Sequence, residues 1–422
     1  MGHTHPNHHA GTSAVDVSGA GRRRAARRSR RSAALVALAA VVVAGMVVVA
    51  VVGPGASGSA SRSAATRARS VDAASVPALP AAPGDAATSV QPDPDSPPPD
   101  PDPAAPGQVV QTGEDQSDPF LFLDGNRYYL YTSGIPGPPV VNVPVSSSPD
   151  FATWTGVTDA LPDLPAWVAP GFTWAPDIHR FGSRYVLYFT ALVRGSDPAM
   201  ECIGDAVGSS PIGPFAAFPA PFICQPTLGG DIDPRVFEAP DGSLFMLWKS
   251  DQNIGGGSTP TQMWSQPLSA DGLTLTGQPA LLLHPDELWE GTIVEAPDMV
   301  EVGGVYWMIF SGNWFNQPDY AIGAASCAGP QGPCTDLPGN PLLASNAQGE
   351  GPGEASLFAD RAGVWLLYSP WRSMSPHPDI PPRPVEITRL GFTPTGPYLA
   401  AGGTPPPLDP LGLYLWRPPA GG

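Results

Sequence analysis

Lysine is almost absent from this chain: Lys249 is the only one among 422 residues. Schiff-base chemistry is thereby confined to one candidate, in a run, LFMLWKS, that reads as a structural strand. Histidine is scarce too. His3, His5, His8 and His9 belong to a polar stretch read as a solvated tail, while His179, His284 and His377 are too scattered for an evident zinc site. No HExxH, GxSxG, Walker loop or CxxC occurs, so metalloprotease, serine-esterase, P-loop and thioredoxin-like chemistry lack their usual groups. Positive charge is also missing from most of the chain. Past residue 70, 11 basic residues face 37 acidic ones, a formal charge of −26. So acidic a body argues against nucleic acid as a partner and suits a neutral or basic ligand, or simply solubility. Long helical periodicity is lacking, and 56 prolines with 48 glycines favour short strands and tight turns.

The first quarter of the chain has a different composition. Arg22, Arg23, Arg24, Arg27, Arg28, Arg30 and Arg31 precede an uncharged Ala/Val-rich run from Ala33 to Val52, about the 20 residues a helix needs to cross a bilayer. Arginines ahead of such a run place the chain beyond it outside the cytoplasm. GASGSA, around Ala56 and Ala60, offers small residues to a signal peptidase, so a retained anchor and a cleaved signal both stay open. The expected organisation is a basic tail over 1–32, a transmembrane anchor or signal segment over 33–52, a disordered Pro/Ala/Asp-rich linker over 53–113 and one folded domain over 114–422. The protein is expected to be membrane-anchored with that domain outside, or secreted, and to be a monomer. Its four cysteines should be oxidised there. Three pairings are possible, and nearness along the chain favours Cys202 with Cys224 and Cys327 with Cys334.

Within the folded part, one pattern recurs five times: an acidic residue enters an apolar run, a turn follows, and an aromatic-rich strand comes next. The copies are DPFLFLDGNRYYLYTSG from Asp118, PDIHRFGSRYVLYFTA with Asp177, DPRVFEAPDGSLFMLWKSD from Asp233, EAPDMVEVGGVYWMIFSG from Glu295 and EASLFADRAGVWLLYSPW from Glu354. The period is about 60 residues, slightly beyond the usual range for solenoids and propellers. Each unit has room for about four short strands. The expected fold is therefore all-β, a five-bladed β-propeller whose first strands line a central channel. Asp-Pro and Asp-Gly are ordinary turn formers, but a shared register of acids predicts that these five carboxylates converge on one end of the channel. Like charges brought together raise some of their pKa values, so one acid can stay protonated while another stays ionised. Glycoside cleavage uses such a pair.

The stretches SDPFLFLDGNRYYLYTS, WAPDIHRFGSRYVLYFTA, IDPRVFEAPDGSLFMLW, VEAPDMVEVGGVYWMIFSGNW and PVEITRLGFTPTG together resemble glycoside hydrolase family 43, over about residues 116–400. The resemblance implies a five-bladed propeller acting mainly on arabinose- and xylose-containing saccharides. It further implies Asp118 as the general base, Asp233 as the residue that tunes and orients the acid, and Glu295 as the general acid, with Glu290 as a rival for that last role. Asp177 is read as a pocket or structural residue and Arg383 as an arginine approaching the site. Trp174 and Trp314 are candidates for stacking on sugar faces. Glu354 departs from the pattern: GPGE stands where many members have GPGH, a histidine at times associated with calcium. No metal or other cofactor is therefore assigned, a structural calcium remaining unsupported. The expected activity is inverting hydrolysis of arabinofuranosyl or xylosyl linkages in an oligo- or polysaccharide. Two alternatives are a non-catalytic propeller binding cell-wall polysaccharide and a retaining fructosidase-like enzyme, although the motifs of the latter are absent.

Overall fold

The computed structural model describes residues 108–110, 116–151, 153–346, 349–360, 363–372 and 383–400. The basic tail, the apolar segment 33–52 and the linker up to residue 107 lie outside the described residues. Among those described, no helix is long and apolar enough to cross a membrane.

Five antiparallel sheets follow one another along the chain. The first comprises Phe120–Asp124, Arg127–Tyr131, Pro144–Ser148 and Thr158–Asp159. The second comprises Val168–Phe181, Arg184–Val193, Glu201–Gly208 and Ala216–Ala217. Asp231–Glu238, Leu244–Ser250, Gln262–Leu268 and Ala280–Leu283 form the third, and Val294–Val302, Val305–Gly312, Ala321–Cys327 and Cys334–Asp336 the fourth. The fifth contains Glu350–Asp360, Gly363–Trp371 and Val385–Thr393, and its outer edge carries both Gly396–Leu399 and Gln108–Val110. Each sheet's first strand packs on the first strand of the next, and the fifth on the first, so the sheets close into a five-bladed propeller.

The closing strand lies inside the stretch expected to be linker. Gln108–Val110 pairs antiparallel with Val385–Ile387, so the folded part begins earlier than residue 114. Three residues are too few to show a period, and their partner lies far away in sequence, which hides the strand from a local reading. Ser369 Oγ donating to the Gln116 carbonyl at 3.0 Å, and Gln116 N–H donating to the Arg383 carbonyl at 3.0 Å, tie the same two ends.

Both faces of each blade are apolar because each packs against a neighbour. Strand side chains alternate between faces. In the second strand of blade two, Leu187 and Phe189 enter a cluster shared with blade one, whereas Val186 and Tyr188 enter one shared with blade three. Three further clusters fill the other interfaces. This explains the near-continuous apolar run RYVLYFTA, where a half-exposed strand would alternate. The disulfides are Cys202–Cys224 and Cys327–Cys334, the latter joining directly paired residues of a hairpin.

The five acids do not share one register. At the channel end of each inner strand one residue has positive φ: Asp118 (54°), Ala175 (45°), Asp233 (57°), Ala296 (52°) and Glu354 (51°). In blades two to five this residue sits in a bulge that inserts one extra residue against the second strand. Proline follows it in four blades, at Pro119, Pro176, Pro234 and Pro297. Aligned on this feature, Asp118, Asp233 and Glu354 are equivalent, Glu295 stands one residue earlier, and Asp177 two residues later.

That offset takes Asp177 out of the acidic cluster. Two residues along a strand move it about 6.6 Å deeper, into a layer formed by Phe120, Asp177, Arg235, Asp298 and Ser356. Arg235 lies 3.5 Å from both Asp177 Oδ1 and Asp298 Oδ2, with its guanidinium 4.8 Å from the centre of the Phe120 ring. Asp177 Oδ2 accepts the Val236 N–H at 2.8 Å, and Asp298 Oδ2 accepts the Leu357 N–H at 2.7 Å. Each of these aspartates hooks the inner strand of the following blade. The layer thus forms a polar floor beneath the site.

Candidate active site

Four carboxyl groups remain at the open end. Asp118 Oδ2 accepts the Ser133 hydroxyl proton, and Ser133 Oγ in turn accepts the Ala175 N–H at 3.1 Å. Arg383 Nη1 stands 3.9 Å from Asp118 Oδ1, and the arginine is itself buried, donating to the Ser369 carbonyl and lying over the Trp371 ring. A hydroxyl donor and a guanidinium both favour the ionised carboxylate. Asp118 is thereby suited to accept a proton.

Asp233, Glu295 and Glu354 each bring an oxygen within 4.8 Å of the others. Asp233 N–H donates to Thr190 Oγ1 at 3.0 Å, and Asp233 Oδ2 accepts the Ala296 N–H at 3.0 Å. Because Ala296 follows Glu295, that bond fixes the backbone from which Glu295 projects. Burial, then the neighbouring charge of Glu295, pushes the Asp233 carboxyl up to about 7. The Tyr320 hydroxyl lies 2.7 Å from Glu295 Oε1 and 2.8 Å from Glu354 Oε1. It carries one proton, so both contacts are hydrogen bonds only if one carboxyl is protonated. Glu354 is that carboxyl, since burial and the charges of Asp233, Asp118 and Glu295 push it well above the usual range. Gly353 makes room for the arrangement. A Cβ there would fall 1.9 Å from the Tyr320 ring.

Lys249 proves to be part of this cluster rather than a plain strand residue. It is buried, with Nζ 2.9 Å from Glu295 Oε2 and 3.3 Å from Asp251 Oδ1. The corresponding second-strand position carries a hydroxyl in every other blade: Ser133, Thr190, Ser311 and Ser369. Three of these accept the N–H of the following blade's bulge residue (Ala175, Asp233 and Glu354), and the fourth donates to Gln116. Lysine in blade three leaves that N–H, on Ala296, to Asp233 and points its ammonium at Glu295. An odd member in a repeated set of hydroxyls was the sequence signal for this residue.

The close carboxylates also raise the question of a cation. Both Glu295 oxygens are already engaged, by Tyr320 and by Lys249, and the ammonium supplies the positive charge a metal would bring. The donor set therefore does not fit an ion bridging all three.

Glu290, the rival acid, is committed elsewhere. Its Oε2 accepts the Asp286 and Glu287 N–H groups at 2.8 and 2.9 Å within the short 3-10 turn before blade four. Trp174 is half-buried beside exposed Phe172, 6.0 Å between ring centres, at the position in blade two equivalent to Glu295 in blade four. Trp314 is half-buried after Asn313, and the adjacent Phe315 is exposed. These rings are available at the ends of inner or neighbouring strands.

Buried carboxyls make the fold sensitive to alkali. Desolvation raises Glu201 to about 8, Asp231 and Asp233 to about 7, and Asp298 to about 6, against about 4 in an unfolded chain. A group with a raised folded pKa favours the native state while both forms are protonated; as pH climbs past 4 the unfolded chain ionises first and stability falls. The urea midpoint is accordingly expected to decline from pH 5 to pH 8. A midpoint that rises over this interval would contradict the assigned burial.

The family model for glycosyl hydrolases family 43 matches residues 109–396. Beta-D-galactofuranosidase xynD of Aspergillus niger is 25% identical over 238 residues, 53% of this chain and 64% of that protein, so the chain spans less than two thirds of its length. A thermostable family-43 glycoside hydrolase of known structure is 26% identical with a TM-score of 0.59, covering 72% of this chain and 98% of its own. An exo-1,5-alpha-L-arabinanase from a bovine ruminal metagenomic library, 20% identical, shares the fold with a TM-score of 0.54 over 69% of this chain and 99% of its own. Five blades in the same order, and a match running from the closing strand to the last hairpin, place this chain in glycosyl hydrolases family 43.

Proposed function

We propose that the chain is an exported glycoside hydrolase that cleaves arabinofuranosyl or xylosyl linkages in oligo- or polysaccharides with inversion. The observation that carries the reading is the unequal state of the carboxyls: Asp118 is held by a hydroxyl and a guanidinium, while Glu295 lies in a cluster that keeps a proton. In a single displacement Asp118 takes a proton from water as its oxygen bonds to the anomeric carbon. The glycosidic C–O bond breaks on the opposite side, and Glu295 gives its proton to the leaving oxygen. Asp233 keeps Glu295 in place through Ala296. Glu295 receives that proton before the displacement: the Tyr320 hydroxyl gives its proton to Glu295 as it takes up the one on Glu354. Over the whole step one proton passes from Glu354 to the leaving oxygen and one from water to Asp118, and release of the latter and uptake by Glu354 restore the starting state.

The relatives extend the choice of sugar, because a matched protein carries the name of a galactofuranosidase and a fold neighbour that of an arabinanase. The test is a screen of 4-nitrophenyl α-L-arabinofuranoside, β-D-xyloside and β-D-galactofuranoside, followed by NMR of the first-formed anomer. Release from an arabinofuranoside or xyloside with inverted product supports the reading. Retention would overturn the mechanism, and turnover confined to the galactofuranoside would overturn the proposed sugar.

A further inference from the structure

A second acidic cluster lies outside the channel, between the turn that precedes blade four and that blade's last strand. Asp286, Glu290 and Asp336 each offer an oxygen within 4.8 Å of the others. Two oxygens bound to one Ca2+ at about 2.4 Å can be no more than about 4.8 Å apart, so the spacing admits a shared ion. The carboxylates are also oriented. Glu290 is fully buried, its Oε2 held by two backbone N–H groups, and its Oε1 is buried without a hydrogen-bond partner. Asp336 Oδ1 accepts from Asn340 Nδ2 at 2.8 Å, whereas its buried Oδ2 receives no donor, and its carboxyl lies within hydrogen-bond reach of the Glu290 carboxyl. In both residues one oxygen is fixed by donors and the other left over, an arrangement that aims ligands at a metal. Leaving such atoms unmatched in the interior is costly. Asp336 also lines a cavity of about 250 Å3, with space for waters to complete a coordination shell.

We propose that Asp286, Glu290 and Asp336 form a divalent-cation site, suited to Ca2+, that ties the turn ahead of Glu295 to the outer strand of blade four. Oxygen-only ligands and an irregular, partly open shell favour Ca2+ over Mg2+, which demands a tighter octahedron. The bound ion would steady more than the turn. The Glu290 carbonyl accepts the Asn313 N–H, and the Asn313 side chain bonds the Trp289 carbonyl and the Trp314 N–H.

The test reads binding, not hydrolysis. Chelator-treated protein is titrated with Tb3+ under tryptophan excitation, Trp289 lining the same cavity, and with Ca2+ while the thermal midpoint is followed. Wild type and Glu354→Gln should each show one equivalent of sensitised emission that Ca2+ displaces, and the midpoint should rise by about 5 °C once Ca2+ exceeds its dissociation constant 100-fold. Asp286→Asn/Asp336→Asn should lose both responses; Asp286→Asn alone, at an exposed residue, keeps the fold and should weaken binding at least tenfold. The proposal is overturned if wild type shows neither response, if the signal survives the double variant, or if Glu354→Gln abolishes it. A proton shared between Glu290 and Asp336 would give the first of these, with a midpoint that answers to pH alone.

Discussion

Glu295→Gln is expected to lower turnover of a disaccharide or alkyl glycoside by roughly 10²- to 10⁴-fold, the contribution usual for a positioned general acid. The size of the loss should depend on the leaving group. A nitrophenolate departs without a proton, so the variant should keep far more activity on a 4-nitrophenyl glycoside than on a natural linkage. Asp118→Asn should lose roughly 10²-fold or more on both, because water must be activated whichever group leaves. Rates on the two substrate classes, with circular dichroism to confirm folding, separate the roles. Equal losses across both classes for Glu295→Gln would remove it as the acid. Tyr320→Phe belongs to the same experiment: it keeps the acid but cuts the path from Glu354, so a loss of about tenfold is expected, greatest on the alkaline side, where fewer acids are protonated.

How much of the molecule is legible in its sequence varies with the reach of the interaction. Blade number and strand sequence are legible because RYYLYT, RYVLYFTA, LFMLWKS, VYWMIFS and VWLLYS repeat a local pattern. Register is harder. Acidity and backbone position coincide in DP at Asp118 and Asp233 but part company in WAPD and EAPD, where alanine occupies the bulge. Alignment on the prolines separates Asp177 from the cluster, since a shift of two residues changes the layer without changing the face. Gln108–Val110 is hidden by distance, its partners being nearly 280 residues away. Tyr320 escapes notice because it precedes the third strand of blade four, Ala321–Cys327, and reaches the cluster only by passing over Gly353. Composition marks Lys249 as unusual, but its apolar neighbours make it look inert.

The lysine also carries the sharpest consequence. It is the cation closest to Glu295 and is held protonated beside Glu295, Asp251 and Asp233. Lys249→Met keeps the length and removes the charge. Carboxyls that lose a nearby cation hold their protons more tightly, so the alkaline limb of kcat/KM is expected to move up by more than one pH unit, about 1.4 kcal/mol or more. Stability should fall as well, by about 3–5 kcal/mol where the orphaned carboxylates stay ionised. That loss should shrink toward pH 5, because the folded variant can take up the protons that replace the ammonium. Wild-type Lys249 adds no such dependence, since its raised folded pKa keeps its contribution intact below the unfolded value near 10. Urea unfolding at pH 5 and pH 8, run beside the rate profiles, measures both effects. A limb that stays in place together with a pH-independent loss of stability would make Lys249 only a filler of space. A moved limb would show that the chain's one lysine sets the pH range over which Glu295 can act as an acid.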